Sequence, residues 1–109
     1  MKTNIPIQEI TLEAGAAVTK FRMIGANGQH CGAGAKAVGI TQIDADSGDQ
    51  FPVMTYGIAI VEAGGAVTAG AEIESDANGK VVTLSAGKAN GQALDSASTD
   101  GDLIRVKVQ

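Results

Sequence analysis

The stretch "VEAGGAVTAGAEIESDANGK", residues 61–80, holds no aromatic, histidine or cysteine, yet a Gly-Gly, an Ala-Gly or an Asn-Gly interrupts every short apolar run. Runs of three to five residues separated by such turn formers read as short strands with sharp reversals, because glycine and asparagine tolerate the turn backbone at low steric cost. The pattern occurs twice. "LEAGAAVT" (12–19) matches "VEAGGAVT" (61–68) at six of eight positions, 49 residues apart. Ala26-Asn27-Gly28 then corresponds to Ala77-Asn78-Gly79, and "IDADSGDQFPVM" (43–54) to "LDSASTDGDLIRV" (94–106), with Gly48-Asp49 against Gly101-Asp102. Two half-repeats, about 12–55 and 61–108, follow one order: Glu-Ala-Gly opening, strand, Asn-Gly turn, strand, acidic turn, strand. Two copies are too few for a stacked solenoid, so the expectation is one closed β unit, a small compact barrel or sandwich.

The rest of the chain agrees with an all-β reading. Ile104, Val106 and Val108 alternate with Arg105 and Lys107, the period of a strand with one apolar face. Tyr56, Ile58 and Ile60 alternate in the same way, as do Ile5 and Ile7. The pairs Asn27-Gly28, Asn78-Gly79 and Asn90-Gly91 all read as tight turns. "AGAKAVG" (33–39) has room for one short helical turn at most. Residues 1–11 form either an N-terminal arm or the first strand, and 12–109 a single β domain.

Composition narrows the function. At 109 residues the chain is one domain, and 18 of its apolar residues are alanine against 23 Ile, Val and Leu and three aromatics, Phe21, Phe51 and Tyr56. Few large rings mean a thin core, for which a partner surface is a useful supplement. The net charge of −4 and the scattered basic residues argue against a nucleic-acid partner. No apolar run is long enough for a membrane helix, and "MKTNIPIQEI" (1–10) lacks the continuous apolar region of a secretory signal.

Chemistry-bearing residues are sparse. His30 and Cys31 are adjacent, so in a strand they point to opposite faces and do not form a nucleophile–base pair. A single cysteine and a single histidine do not make a zinc site. Asp44, Asp46 and Asp49 in "DADSGD" are the weak metal candidates, but they lack the distal bidentate glutamate of a calcium loop, and Asp, Ser and Gly also suit an ordinary turn. "GAGAKAVG" (32–39) does not carry the glycine spacing of a dinucleotide fingerprint. The expectation is no enzyme, no cofactor and no metal.

One resemblance adds to this reading. In "YGIAIVEAGGAVTAGAEIESDANGKVV" (56–82), the features Gly57 after an apolar strand, Val61-Glu62 before Gly64-Gly65, Val67-Thr68-Ala69-Gly70, and Ser75-Asp76 leading into Asn78-Gly79-Lys80 resemble the capsid cement, or head decoration, proteins of tailed bacteriophages. "AVGI" (37–40), the turn at Gly48-Asp49 and the closing "GDLIRVKV" (101–108) extend the resemblance over most of the chain. It implies a virion protein on the outer surface of the icosahedral head. The protein would be made in the host cytoplasm, bind the major capsid protein and hold the shell against packaged DNA. It also implies a homo-oligomer, with a trimer favoured.

The candidate capsid contact is the segment Asn4, Ile5, Pro6 and Ile7. Pro6 lacks an amide donor and favours an edge, and two isoleucines flank it. Other readings of the same composition are a head fibre base, a tail accessory protein, a small-ligand-binding β-barrel and, least, a small hydrolase.

Overall fold

The computed structural model describes residues 3–108. Eight strands run in chain order: β1 (Ile5–Glu13), β2 (Arg22–Ile24), β3 (Gly39–Thr41), β4 (Gln50–Glu62), β5 (Glu72–Ser75), β6 (Val81–Thr83), β7 (Gly91–Ala93) and β8 (Leu103–Val108). All pair antiparallel in one sheet of order β2-β3-β4-β8-β7-β5-β6, with β1 added to β4. The two ends of that order meet. Met23 N–H of β2 donates to Gly79 O in the β5–β6 turn (2.7 Å), and Gly34 N–H donates to Ser75 O (2.9 Å). The sheet is therefore nearly closed into a small all-β barrel.

Strand β4, at thirteen residues, organises the interior. Its first part lies between β1 and β3, and its last part pairs with β8. Val53 and Met54 are neighbours in sequence and both fully buried, in different clusters. Val53 packs with Ala14, Val18, Ile24, Ala45 and Phe51. Met54 belongs to the larger core with Ala59, Val61, Ile73, Ile104 and Val106. Successive strand residues point to opposite faces, so one strand serves two cores.

The two halves of the chain make the same contacts. Val18 N–H donates to Ala45 O (2.8 Å) and Val67 N–H to Ala97 O (2.9 Å). Ala14 N–H reaches Asp49 O and Ala63 N–H reaches Asp102 O, both at 2.8 Å. Every member of the smaller core has a counterpart in the larger: Ala14 and Ala63, Val18 and Val67, Ile24 and Ile73, Ala45 and Ala97, Phe51 and Ile104, Val53 and Val106. In this correspondence β1 matches the end of β4, and the start of β4 matches β8.

Some local readings of the sequence differ from the structure. β8 is as expected, with Ile104, Val106 and Val108 buried. In β4 the inward residues are instead Ala59 and Val61, while Tyr56, Ile58 and Ile60 face outward. The face changes around Gly57, whose φ of 132° kinks the strand. Asn27-Gly28 and Asn78-Gly79 are turns, with positive φ at the glycine only. Asn90-Gly91 is not a turn but the entry to β7. The Asn90 side chain is buried and bridges distant backbone, accepting Ala37 N–H (2.9 Å) and donating to Ala35 O (3.1 Å). Residues 33–39 contain no helix, only a turn closed by Ala35 N–H to Gly32 O (3.1 Å).

Candidate docking surface

β1 is nine residues long and exposed along nearly its whole length. Six large apolar side chains are exposed among the described residues, and four of them, Ile5, Ile7, Ile10 and Tyr56, lie on β1 or on the part of β4 that it pairs with. Ile7 is 67% exposed, far above what an internal strand of a sheet would show. A shallow groove of about 180 Å³ runs beside it, lined by Ile7, Tyr56, Gly57, Ile58, Leu94 and Lys107. Contiguous exposed apolar surface on a small domain marks an interaction site more often than a free surface does.

The groove exists because β1 crosses Gly57 closely. A Cβ at Gly57 would stand 2.5 Å from Ile5 O and 2.9 Å from Ile7 N, so only glycine admits that approach. The register of β1 against β4 slips between Pro6 and Gln8 and again between Gln8 and Glu9. These bulges place Ile7 off the ladder, where its side chain stands clear of the sheet. Of the expected contact residues, Asn4 is exposed ahead of the strand, Ile5 pairs with Ile58 and Pro6 with Gly57. All four, Asn4 to Ile7, are thus on one exposed edge, joined there by Tyr56, Ile58 and Leu94. Local pattern does not mark those three for this edge; Leu94, for one, is held beside β8 by its N–H bond to Arg105 O (2.8 Å), eleven residues further along the chain.

The reactive side chains are held in structural roles. His30 Nε2 accepts Thr19 N–H (3.0 Å); burial and then the Arg22 charge hold its pKa below the usual value. The Cys31 thiol is buried, and burial pushes its pKa up, the opposite of what a nucleophile needs. Asp44 Oδ1 accepts Lys20 N–H (2.8 Å) and Asp49 Oδ2 accepts Asp46 N–H (3.1 Å), so these carboxylates shape a turn. Among the described residues no group of three or more His, Cys, Asp or Glu is arranged to hold a metal ion. At the meeting of the two halves, Glu62 pairs with Arg22 (3.3 Å) and Lys80 (3.2 Å), and Lys80 with Asp100 (2.9 Å).

A family model described as phage cement protein matches residues 1–108. The chain belongs to the phage cement protein family. A search of the curated proteins gives no match. Among solved structures, the crystal structure of the head fiber gp8.5 N base of bacteriophage phi29 matches this cement-family chain with a TM-score of 0.76 and 20% identity. The match covers 94% of this chain and 93% of that one. At that identity what the two share is the fold. Cement and head fibre proteins are both structural components of phage virions rather than enzymes.

Proposed function

We propose that this chain decorates the outer surface of the mature phage head, binding the major capsid protein and stabilising the shell against the pressure of packaged DNA. The observation that carries the reading is the exposed apolar edge of β1, Asn4 to Ile7 with Tyr56 and the neighbouring groove, on a member of the cement family. We further propose that it acts as a homo-oligomer, a trimer, which suits a shell with three-fold positions. The physics is linkage. A protein that binds only the expanded lattice stabilises each site by RT ln(1 + [L]/Kd), about 2.7 kcal/mol at a hundredfold excess over Kd. Repeated over many sites, such a modest contribution opposes rupture of the whole shell.

The test is co-sedimentation of the purified protein with expanded shells that lack it. Saturable binding, a higher rupture temperature of the loaded shells, and weakening by Ile7→Asp with an unchanged melting temperature are expected. Absence of binding to both expanded and unexpanded shells would remove the reading. The fold shared with a head fibre base favours a second one, in which the domain seats a fibre on the head. Imaging of particles with and without the protein separates the two, since a fibre base leaves a projecting stalk above its density.

A further inference from the structure

The outer edge of β1 is an unfilled version of a contact that the chain makes once within itself. Ala14 N–H bonds Asp49 O, and at the matching place Ala63 N–H bonds Asp102 O. The alternation of an antiparallel ladder then fixes which way the preceding residues face. Leu12 turns its backbone groups toward β4 and Val61 toward β8, while Thr11 and Glu13, like Ile60 and Glu62, turn theirs to the other edge.

On β4 that other edge is occupied. The Gln42 amide accepts Ile60 N–H (3.1 Å) and donates to Ile60 O (2.7 Å). Glu62 N–H donates to Phe21 O (2.9 Å), and the next residue, Arg22, places its guanidinium 3.3 Å from the Glu62 carboxylate. An extended segment thus supplies a carbonyl for the backbone and a cation for the side chain of one glutamate.

On β1 the matching groups have no such partner among the described residues. Among the described residues β4 is the one strand beside β1, and Thr11 and Glu13 are both exposed. Gly28 packs over the Glu13 carbonyl, but among the described residues nothing bonds Glu13 N–H outside the ladder or pairs with its carboxylate.

We infer that the outer edge of β1, at Thr11 and Glu13, takes an extended segment of the shell subunit that bears a lysine or arginine. Its carbonyls accept the outward N–H groups and its cation pairs with Glu13, as Phe21-Arg22 does for Glu62. Edge-strand addition is an established way for one protein to hold another. Two copies of this chain are a poor fit. A two-fold pairing of β1 with itself about Thr11 sets Glu9 opposite Glu13, two like charges directly across a ladder. A head-to-tail pairing brings the second half's counterpart of Phe21-Arg22, which is Gly70-Ala71 and carries no charge.

This inference rests on the shell-binding reading for the owner of the segment. The experiment uses the full-length protein and expanded shells, with Thr11→Pro, Glu13→Lys and Glu13→Gln. Proline at 11 removes the outward N–H and leaves the bonds to β4 intact; the melting temperature checks that each variant folds. The expected result is at least tenfold weaker binding for Thr11→Pro and Glu13→Lys and a smaller loss for Glu13→Gln. Binding of the wild type should fall with salt, and the amides of Thr11 and Glu13 should become protected from hydrogen exchange on decorated shells. Wild-type binding with Glu13→Lys unimpaired and no new protection would overturn the inference while leaving the shell-binding reading in place. No wild-type binding would overturn both. Protection of the same amides in concentrated protein without shells would assign the edge to a second copy and overturn it as well.

Discussion

Phe21 and Gly70 hold the same bend. Phe21, with φ of 64°, is the one non-glycine residue with positive φ among those described, and Gly70, 49 residues later, has φ of 92°. Each ends the arch that follows a Glu-Ala-Gly turn and leads into a strand, β2 in one half and β5 in the other. The bend is a requirement of the arch, and the second half meets it with the residue that bears it most easily. Phe21 sits in it with its ring half-buried and Lys20 Nζ 5.3 Å from the ring centroid.

Gly70→Ala therefore tests backbone conformation alone, since open space surrounds the site of the added Cβ. A loss of about 1–2 kcal/mol is expected from the left-handed backbone. Gly65→Ala, equally open but without positive φ, should change stability by under about 0.5 kcal/mol. Equilibrium denaturation of the two variants provides the comparison; equal effects would contradict this reading of the arch.

Gly57→Ala attacks the crossing of β1 over β4. Both near neighbours of the new Cβ are backbone atoms, so neither can swing away. A cost of roughly 1–3 kcal/mol is expected, as for other overpacked sites. The readout that isolates the mechanism is hydrogen exchange, which should accelerate in residues 5–8 and remain unchanged in β8.

Asn90→Leu removes a buried tie between the β7 entry and the Ala35–Ala37 loop. Ala37 N–H loses its partner, and Ala35 O keeps only the Cys31 thiol. An orphaned buried group costs about 1–3 kcal/mol, so a loss of about 1–3 kcal/mol is expected. Asn90→Asp restores the acceptor but not the donor, and in calorimetry its melting temperature should fall between those of the wild type and the leucine variant.

Acid should weaken the fold through two groups. His30 is held below its usual 6.5 by burial and by Arg22, and its Nε2 must stay unprotonated to accept Thr19 N–H. The unfolded chain then binds the extra proton more readily, so this contribution is complete above pH 6.5 and is lost as pH falls through the folded value. Asp102, lowered by the Ser98 and Thr99 N–H groups, acts in the same direction from 3.8 downward. Denaturation midpoints measured from pH 7.5 to 4.5 should decline for the wild type and stay flatter for His30→Gln. An identical decline in both would show that His30 is not the group responsible.

Much of the fold was legible in the residues, and the failures share one cause. The β class, the Asn27-Gly28 and Asn78-Gly79 turns and the buried face of β8 follow from local pattern. The inward face of β4 did not, because the neighbouring strands approach so closely that the interior there takes Gly57 and Ala59, while Tyr56, Ile58 and Ile60 are left outside. A hydropathy pattern marks the larger side chains, and here the larger ones are on the wrong side. Asn90-Gly91 misled for a related reason: its asparagine is fixed by Ala35 and Ala37, more than fifty residues away, and tertiary bonds overrode a local turn preference. The exposed edge at Asn4–Ile7 drew attention through Pro6, but Leu94 and Lys107 join it through strand pairing that no local signal encodes.

Because β4 threads both cores, the molecule has a single mechanical spine. Tension applied between β1 and β8 passes along that strand and loads its ladder with each of them in shear, many hydrogen bonds together instead of one after another. The weaker of the two seams then sets the load at which the molecule yields.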